Sequence, residues 1–184
     1  MIFDTWWQFQ RARWLLFFNR RASAMDAYRR VLAAEPRNTE AASALGFLHG
    51  EAGETTDAIR YFRCVLEAAP NDASTRFNLA FILQKENRHD EALAQFDAAI
   101  VLNPKIDRAW FGKGMSLAAL KRHHDAIPAF TEAARLQPMN PHALQELGLQ
   151  HHALGQRGEV EKIIARLREF DPKATDALIR ATAA

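Results

Sequence analysis

Five prolines, Pro36, Pro70, Pro104, Pro138 and Pro172, stand 34 residues apart along a chain of 184 residues. Other positions keep the same step. Ala24, Ala58, Ala92 and Ala126 are in phase, with Val160 in the last place. Tyr28, Phe62, Phe96 and Phe130 are in phase, followed by Ile164. Ala12, Gly46, Ala80, Gly114 and Gly148 make a column of small residues. Three columns sharing one period with the prolines mark an internal repeat, and a repeat of this length is one supersecondary unit stacked on its neighbours.

Within a period the apolar residues fall into two helical runs. Between residues 73 and 102, Phe77, Leu79, Ala80 and Leu83 have helical spacing, Glu86-Asn87-Arg88 interrupts it, and Ala92, Leu93, Phe96, Ala99 and Ile100 resume it. Asn103-Pro104 then stops the second run, because proline disfavours helix at the residue before it. The small column lets two helix backbones approach, and an aromatic from the second helix fills the space above it. One such hairpin cannot bury its own apolar face; stacked hairpins can.

The order of these residues resembles the tetratricopeptide repeat family over nearly the whole chain. Residues 39–72 carry Leu45, Gly46, Ala58, Phe62 and Pro70. Residues 73–106 carry Leu79, Ala80, Ala92, Phe96, Ala99 and Pro104. Residues 107–140 carry Trp110, Gly114, Ala126, Phe130, Ala133 and Pro138. Residues 141–174 match more loosely through Leu144, Leu147, Gly148 and Pro172. The resemblance implies an all-α, right-handed α-solenoid of about five helix-turn-helix units. Residues 1–38 would form a divergent, aromatic-rich first unit and residues 175–184 a C-terminal cap, with a terminal helix read over 174–181.

Three departures stand out. Lys113 occupies a place where the family prefers leucine. Pro128 falls in a second helix and, if that helix starts near His124, ends its first turn, removing at most about one backbone bond. In the first unit, the ordinary register puts Gln8 and Arg11 at core positions. A one-residue shift places Trp7 and Trp14 there instead and requires a longer turn around Asn19-Arg20-Arg21. That shifted register is the one expected.

The resemblance also implies a site. First-helix positions line the concave face of such arrays, and here they are Phe47, Phe77, Asn78, Phe81, Arg108, Phe111, Met115, His142, Gln145 and Leu149. A related subgroup grips a C-terminal carboxylate. Asn78 and Arg108 fit two of its positions, but Ser43, Phe47 and Gly112 lack the chemistry at the others, so a full clamp is not expected. What remains suits apolar peptide segments. The competing reading is that Phe77, Phe81 and Phe111 simply pack between helices.

Met1–Arg21 is the densest anomaly, with Phe3, Trp6, Trp7, Phe9, Trp14, Phe17 and Phe18 and, around them, Arg11, Arg13, Arg20 and Arg21. On a helix, Phe3, Trp7, Trp14 and Phe18 share a face, and the apolar arc is wider than one neighbour needs. Three readings stay open: packing on the next repeat, docking to another protein or a second copy, or lying in a membrane interface. The Trp14–Phe18 run is too short for a signal-peptide core and the flanking arginines are wrong for cleavage, so a leader is not expected.

No catalytic, cofactor or metal constellation is expected. Gly112-Lys113-Gly114 lacks the spacing of a phosphate loop. The pairs His123-His124 and His151-His152 diverge on a helix, and His49 shares the repeat position of His151; three or four convergent ligands would be needed. Cys64 alone makes no intramolecular disulfide. With 24 basic against 22 acidic residues, a net charge of +2, and no basic stripe, nucleic acid is not an expected partner. The expectation is a noncatalytic scaffold or adaptor for a protein or peptide. Its default location is cytoplasmic; the alternative is an assembly factor or chaperone, peripheral on a membrane, anchored by residues 1–20.

Overall fold

The computed structural model describes the backbone of residues 2–183 and the side chains of residues 4–183. Eleven helices and no strand occur among the described residues: α1 (Ile2–Phe17), α2 (Arg21–Ala34), α3 (Thr39–Ala52), α4 (Thr55–Ala68), α5 (Ala73–Lys85), α6 (His89–Leu102), α7 (Asp107–Ala119), α8 (His123–Leu136), α9 (Pro141–Ala153), α10 (Arg157–Arg168) and α11 (Pro172–Thr182). The chain divides into two compact units, Met1–Glu86 and Asn87–Ala184.

One turn design recurs throughout. Asn19, Gly53, Asn87, Lys121 and Gly155, again 34 apart, follow the ends of α1, α3, α5, α7 and α9, and all have positive φ, between 56° and 79°. A left-handed residue just past a helix end lets the next amide reach back to a free carbonyl of the last turn. That bond is made by Arg20 to Leu15, Glu54 to His49, Arg122 to Leu117 and Gln156 to His151, at 2.7–2.9 Å. Glycine and asparagine tolerate this backbone; lysine does so only with strain.

The prolines mark the other junction. Pro36, Pro70, Pro104 and Pro138 follow α2, α4, α6 and α8, and each time the next helix starts three residues on. Asn38, Asp72 and Asn140 cap those starts, each side-chain oxygen accepting from a first-turn amide. Arg76 and Trp110, 34 residues apart, donate back to the carbonyls of Pro70 and Pro104. Pro172 behaves differently: it opens α11 as its first residue, behind an Asp171 cap. The terminal helix is therefore longer than the span 174–181 read from sequence, because proline at a first helical position costs no backbone bond.

In the N-terminal unit α1 to α5 pack each on the next, and α3 also touches α5. Phe62 of α4 is 1% exposed and lies on Gly46 of α3, where a Cβ would stand 2.7 Å from the ring. In the C-terminal unit α6 to α11 pack in the same way, with α9 meeting both α10 and α11. Phe130 covers Gly114 at 2.7 Å, and Phe96 covers Gly112. Each fully buried phenylalanine contributes about 1.5–3 kcal/mol. In the last pair Ile164 is too short for this role. Leu178 of α11 occupies the space over Gly148 instead, with its Cδ2 2.7 Å from where a Cβ would be.

Two expectations need correction. The first unit keeps the ordinary register: Ala12 is fully buried, whereas Trp7 and Trp14 are 61% and 63% exposed. Only a small residue fits where α1 approaches α2, and the turn at Asn19 is in phase with the others, so no longer turn is needed. Helix α8 starts at His123, so Pro128 is its sixth residue and lies inside the helix rather than ending its first turn. The cost is still the single bond that Pro128 cannot donate. Lys113 is half-buried, paired with Asp97 at 2.7 Å and lying 5.7 Å over the Trp110 ring. Its aliphatic stem does the packing that leucine does elsewhere.

Candidate protein-binding surfaces

Helices α3 and α5 of the N-terminal unit present Phe47, Asn78 and Phe81 on one face. Phe47 and Phe81 are 54% and 45% exposed, while Asn78 and Phe77 are half-buried. Phe77 and Phe81 stack at 6.5 Å. Phe47, Glu51 and Asn78 line both a groove of about 670 Å³, bounded further by Leu16, Arg21 and Ser43, and an adjoining pocket of about 120 Å³ reaching Phe81, Ile82 and Lys85. Exposed aromatic rings in a recess with a few polar groups are what an apolar peptide side chain requires.

The charges around this recess are uneven. Glu40, Glu51 and Asp72 line the groove against one cation, Arg21, which pairs with Glu51 at 3.1 Å. Asp72 is held in place by its capping bonds to Ser74, Thr75 and the Thr75 hydroxyl. Lys85 stands 5.3 Å over the Phe81 ring and closes the far end of the pocket. The rim is thus acidic along the groove and basic at one end.

The corresponding positions of the C-terminal unit are more occupied by packing. Phe111 meets Phe130 edge-on at 5.6 Å, and Phe111, Met115 and Leu149 lie partly buried against the core. Gln145 donates to the Ala174 carbonyl at 3.2 Å, which ties α9 to the terminal helix. Arg108 and His142 are exposed. Burial raises the pKa of Glu146, one residue along, although the nearby His142 opposes the shift. Of the residues expected to line a face, Phe47, Asn78 and Phe81 are brought together in one recess. Glu40, Glu51 and Asp72 are additions that sequence reasoning did not find, because surface acids on a helix have no periodic signature.

Helix α1 buries Thr5 and Ala12 and packs Phe9 on Tyr28 at 5.5 Å. Burial also raises the pKa of Tyr28, with Arg13 lowering it and Glu40 adding to the rise. The opposite side of α1 is open: Trp6, Trp7, Trp14, Phe17 and Phe18 are 58–78% exposed. Trp14, Phe17 and Phe18 contact one another, Trp14 stacking on Phe18 at 6.3 Å and Phe17 meeting Phe18 edge-on at 5.2 Å. The side chain of Phe3, counted with this face in the sequence, lies outside the described residues.

His49, Glu54 and Asp57 bring three donor atoms within 4.8 Å of one another. The buried His49 ring bonds through Nδ1 to Glu54 and stacks on Tyr61 at 5.3 Å, and Asp57 pairs with Arg60 at 2.8 Å. The same bridge recurs 102 residues on, where His151 Nδ1 meets Gln156 Oε1 at 2.6 Å. An amide in place of the carboxylate points to a lock on the hairpin turn.

Paired helices of this length, closed by a left-handed residue and stacked through a small residue under an aromatic, define a helical-repeat interaction scaffold. The tetratricopeptide repeat pattern matches residues 9–73 and 77–141, and the chain belongs to that family. No curated protein sequence matches it. Among solved structures, a crystal structure of MamA protein is 22% identical, covers all of this chain and 96% of its own, and superposes with a TM-score of 0.86. A crystal structure of YrrB, described as a TPR protein with an unusual peptide-binding site, is 19% identical over 96% of this chain and 91% of its own, with a TM-score of 0.85. MamA from Desulfovibrio magneticus RS-1 is 17% identical over 98% of both chains, with a TM-score of 0.81. These likenesses establish the fold, an all-α solenoid of tetratricopeptide units.

Proposed function

We propose that this protein is a noncatalytic adaptor that holds a peptide segment of a protein partner in the α3–α5 recess. The observation that carries this reading is the pair of exposed rings, Phe47 and Phe81, set beside Asn78 in adjoining cavities. A preformed recess lowers the ordering cost of binding, so a short segment can gain affinity from one or two aromatic or aliphatic anchors. The acidic groove favours basic residues flanking those anchors. Asn78, on the lining of both cavities, supplies a polar group for the peptide backbone. The peptide-binding site named for YrrB supports a peptide as the kind of ligand.

The test is selection from a phage-displayed random peptide library on wild type and on Phe47→Ala/Phe81→Ala. Both rings are exposed, so the double variant keeps its fold. Wild type is expected to enrich peptides with apolar anchors and basic neighbours, and the variant to lose them. Equal enrichment of the same peptides by both proteins would falsify the assignment of the recess.

A further inference from the structure

We infer that the outward face of α1 rests on an anionic membrane surface. The helix is two-sided. Thr5, Phe9, Ala12 and Leu16 turn toward α2 and the core, and the other side carries rings that are more than half exposed. At about 100° per residue, Trp6, Phe17, Trp14 and Trp7 fall within an arc of about 100°, and Arg13 and Arg11 lie about 20° and 40° beyond its two edges. Both arginines are exposed, and Arg20 follows the helix end, also exposed. Asp4, the one acidic residue of α1, is exposed about 20° outside Arg11, and Gln10 is the one polar residue within the arc.

Charge decides which occupant fits. An aromatic arc with a cation on each shoulder is complementary to a bilayer interface, where rings sit among the acyl boundary and guanidinium groups meet phosphate. A second copy docking the same face would set Arg11 and Arg13 against their own equivalents. A folded partner would need a separate cavity for each projecting ring, whereas lipid needs no matching shape. No helix among the described residues is long and apolar enough to cross a membrane, so the contact is peripheral.

The experiment is flotation of the full chain with vesicles of phosphatidylcholine and phosphatidylglycerol, and with phosphatidylcholine alone, read together with tryptophan emission. Wild type is expected to float with the anionic vesicles and its emission to move to the blue. Trp7→Ala/Trp14→Ala and Trp6→Ala/Phe17→Ala, all at exposed positions, are expected to stay at the bottom of the gradient. Arg11→Gln/Arg13→Gln is expected to bind the anionic vesicles about 30-fold more weakly, about fivefold per arginine. Wild type that ignores both vesicle types overturns the inference, as does binding that survives both aromatic double variants. Self-association in sedimentation, abolished by the same aromatic substitutions and unaccompanied by flotation, overturns it in favour of a second copy.

Discussion

Replacing glycine by alanine has three different expected outcomes in this chain, and Gly112 is the most demanding case. It lies within α7, where alanine improves helix propensity by about 1 kcal/mol. A Cβ there would run into Cζ of Phe96 and stand 2.6 Å from its Cε1 and 3.0 Å from its Cε2. That ring is fully buried, so any shift must displace packed neighbours. Overpacking of this kind costs about 1–3 kcal/mol and sometimes more. With three ring atoms inside the contact limit, the upper part of that range applies, leaving a net loss of about 1–2 kcal/mol. For a chain of this size the melting temperature should fall by about 2–8 °C, measured by far-ultraviolet circular dichroism. Gly158 has nothing within 4 Å, and alanine there should stabilise by about 0.4–1 kcal/mol. Gly53 and Gly155 also have open space, but φ of 79° and 71° makes alanine cost about 1 kcal/mol through the backbone alone. A double-mutant cycle isolates the mechanism: Phe96→Leu should recover at least half of the Gly112→Ala loss. If Gly112→Ala is as stable as wild type, or if the two substitutions are additive, steric contact with Phe96 is the wrong explanation.

Two further outcomes follow from individual sites. Lys121→Gly removes a strained left-handed lysine at φ 58° and should raise the denaturant midpoint by about 1 kcal/mol equivalent, with an unchanged slope. Glu146→Gln addresses pH: burial raises the folded pKa above the ordinary 4.5, so the stability linked to this group is complete below 4.5 and is lost as pH rises through the raised value. The glutamine variant should therefore be more stable than wild type in urea at neutral pH, with the difference closing in acid; a constant gap would show that proton linkage is not its source.

The repeat was legible because its causes are local. Proline stops, small residues under aromatics and alanines at helix crossings are each required once per hairpin, so they surface as columns of one period. The left-handed turn residues form an equally regular column, but Lys121 breaks its chemistry and Asn87 reads as ordinary interruption, so the backbone geometry revealed it and the residue types did not. Phe47, Asn78 and Phe81 were found through their repeat positions. Whether Met115 and Leu149, the equivalents of Phe47 and Phe81, and Phe111, the equivalent of Phe77, face solvent was not legible, since an apolar residue looks the same packed or open.

From its amino-acid order alone this protein is a stack of paired helices with a 34-residue step, because helix periodicity and stop signals act over a few residues. The tertiary structure decided the rest: that Ala12 and not Trp7 or Trp14 meets α2, that Leu178 and not Ile164 covers Gly148, and that the recess opens between α3 and α5. Each of these depends on how closely two backbones approach. That distance is set by side chains far apart in the chain, and a helix apolar on two sides carries no local mark of which side will be covered.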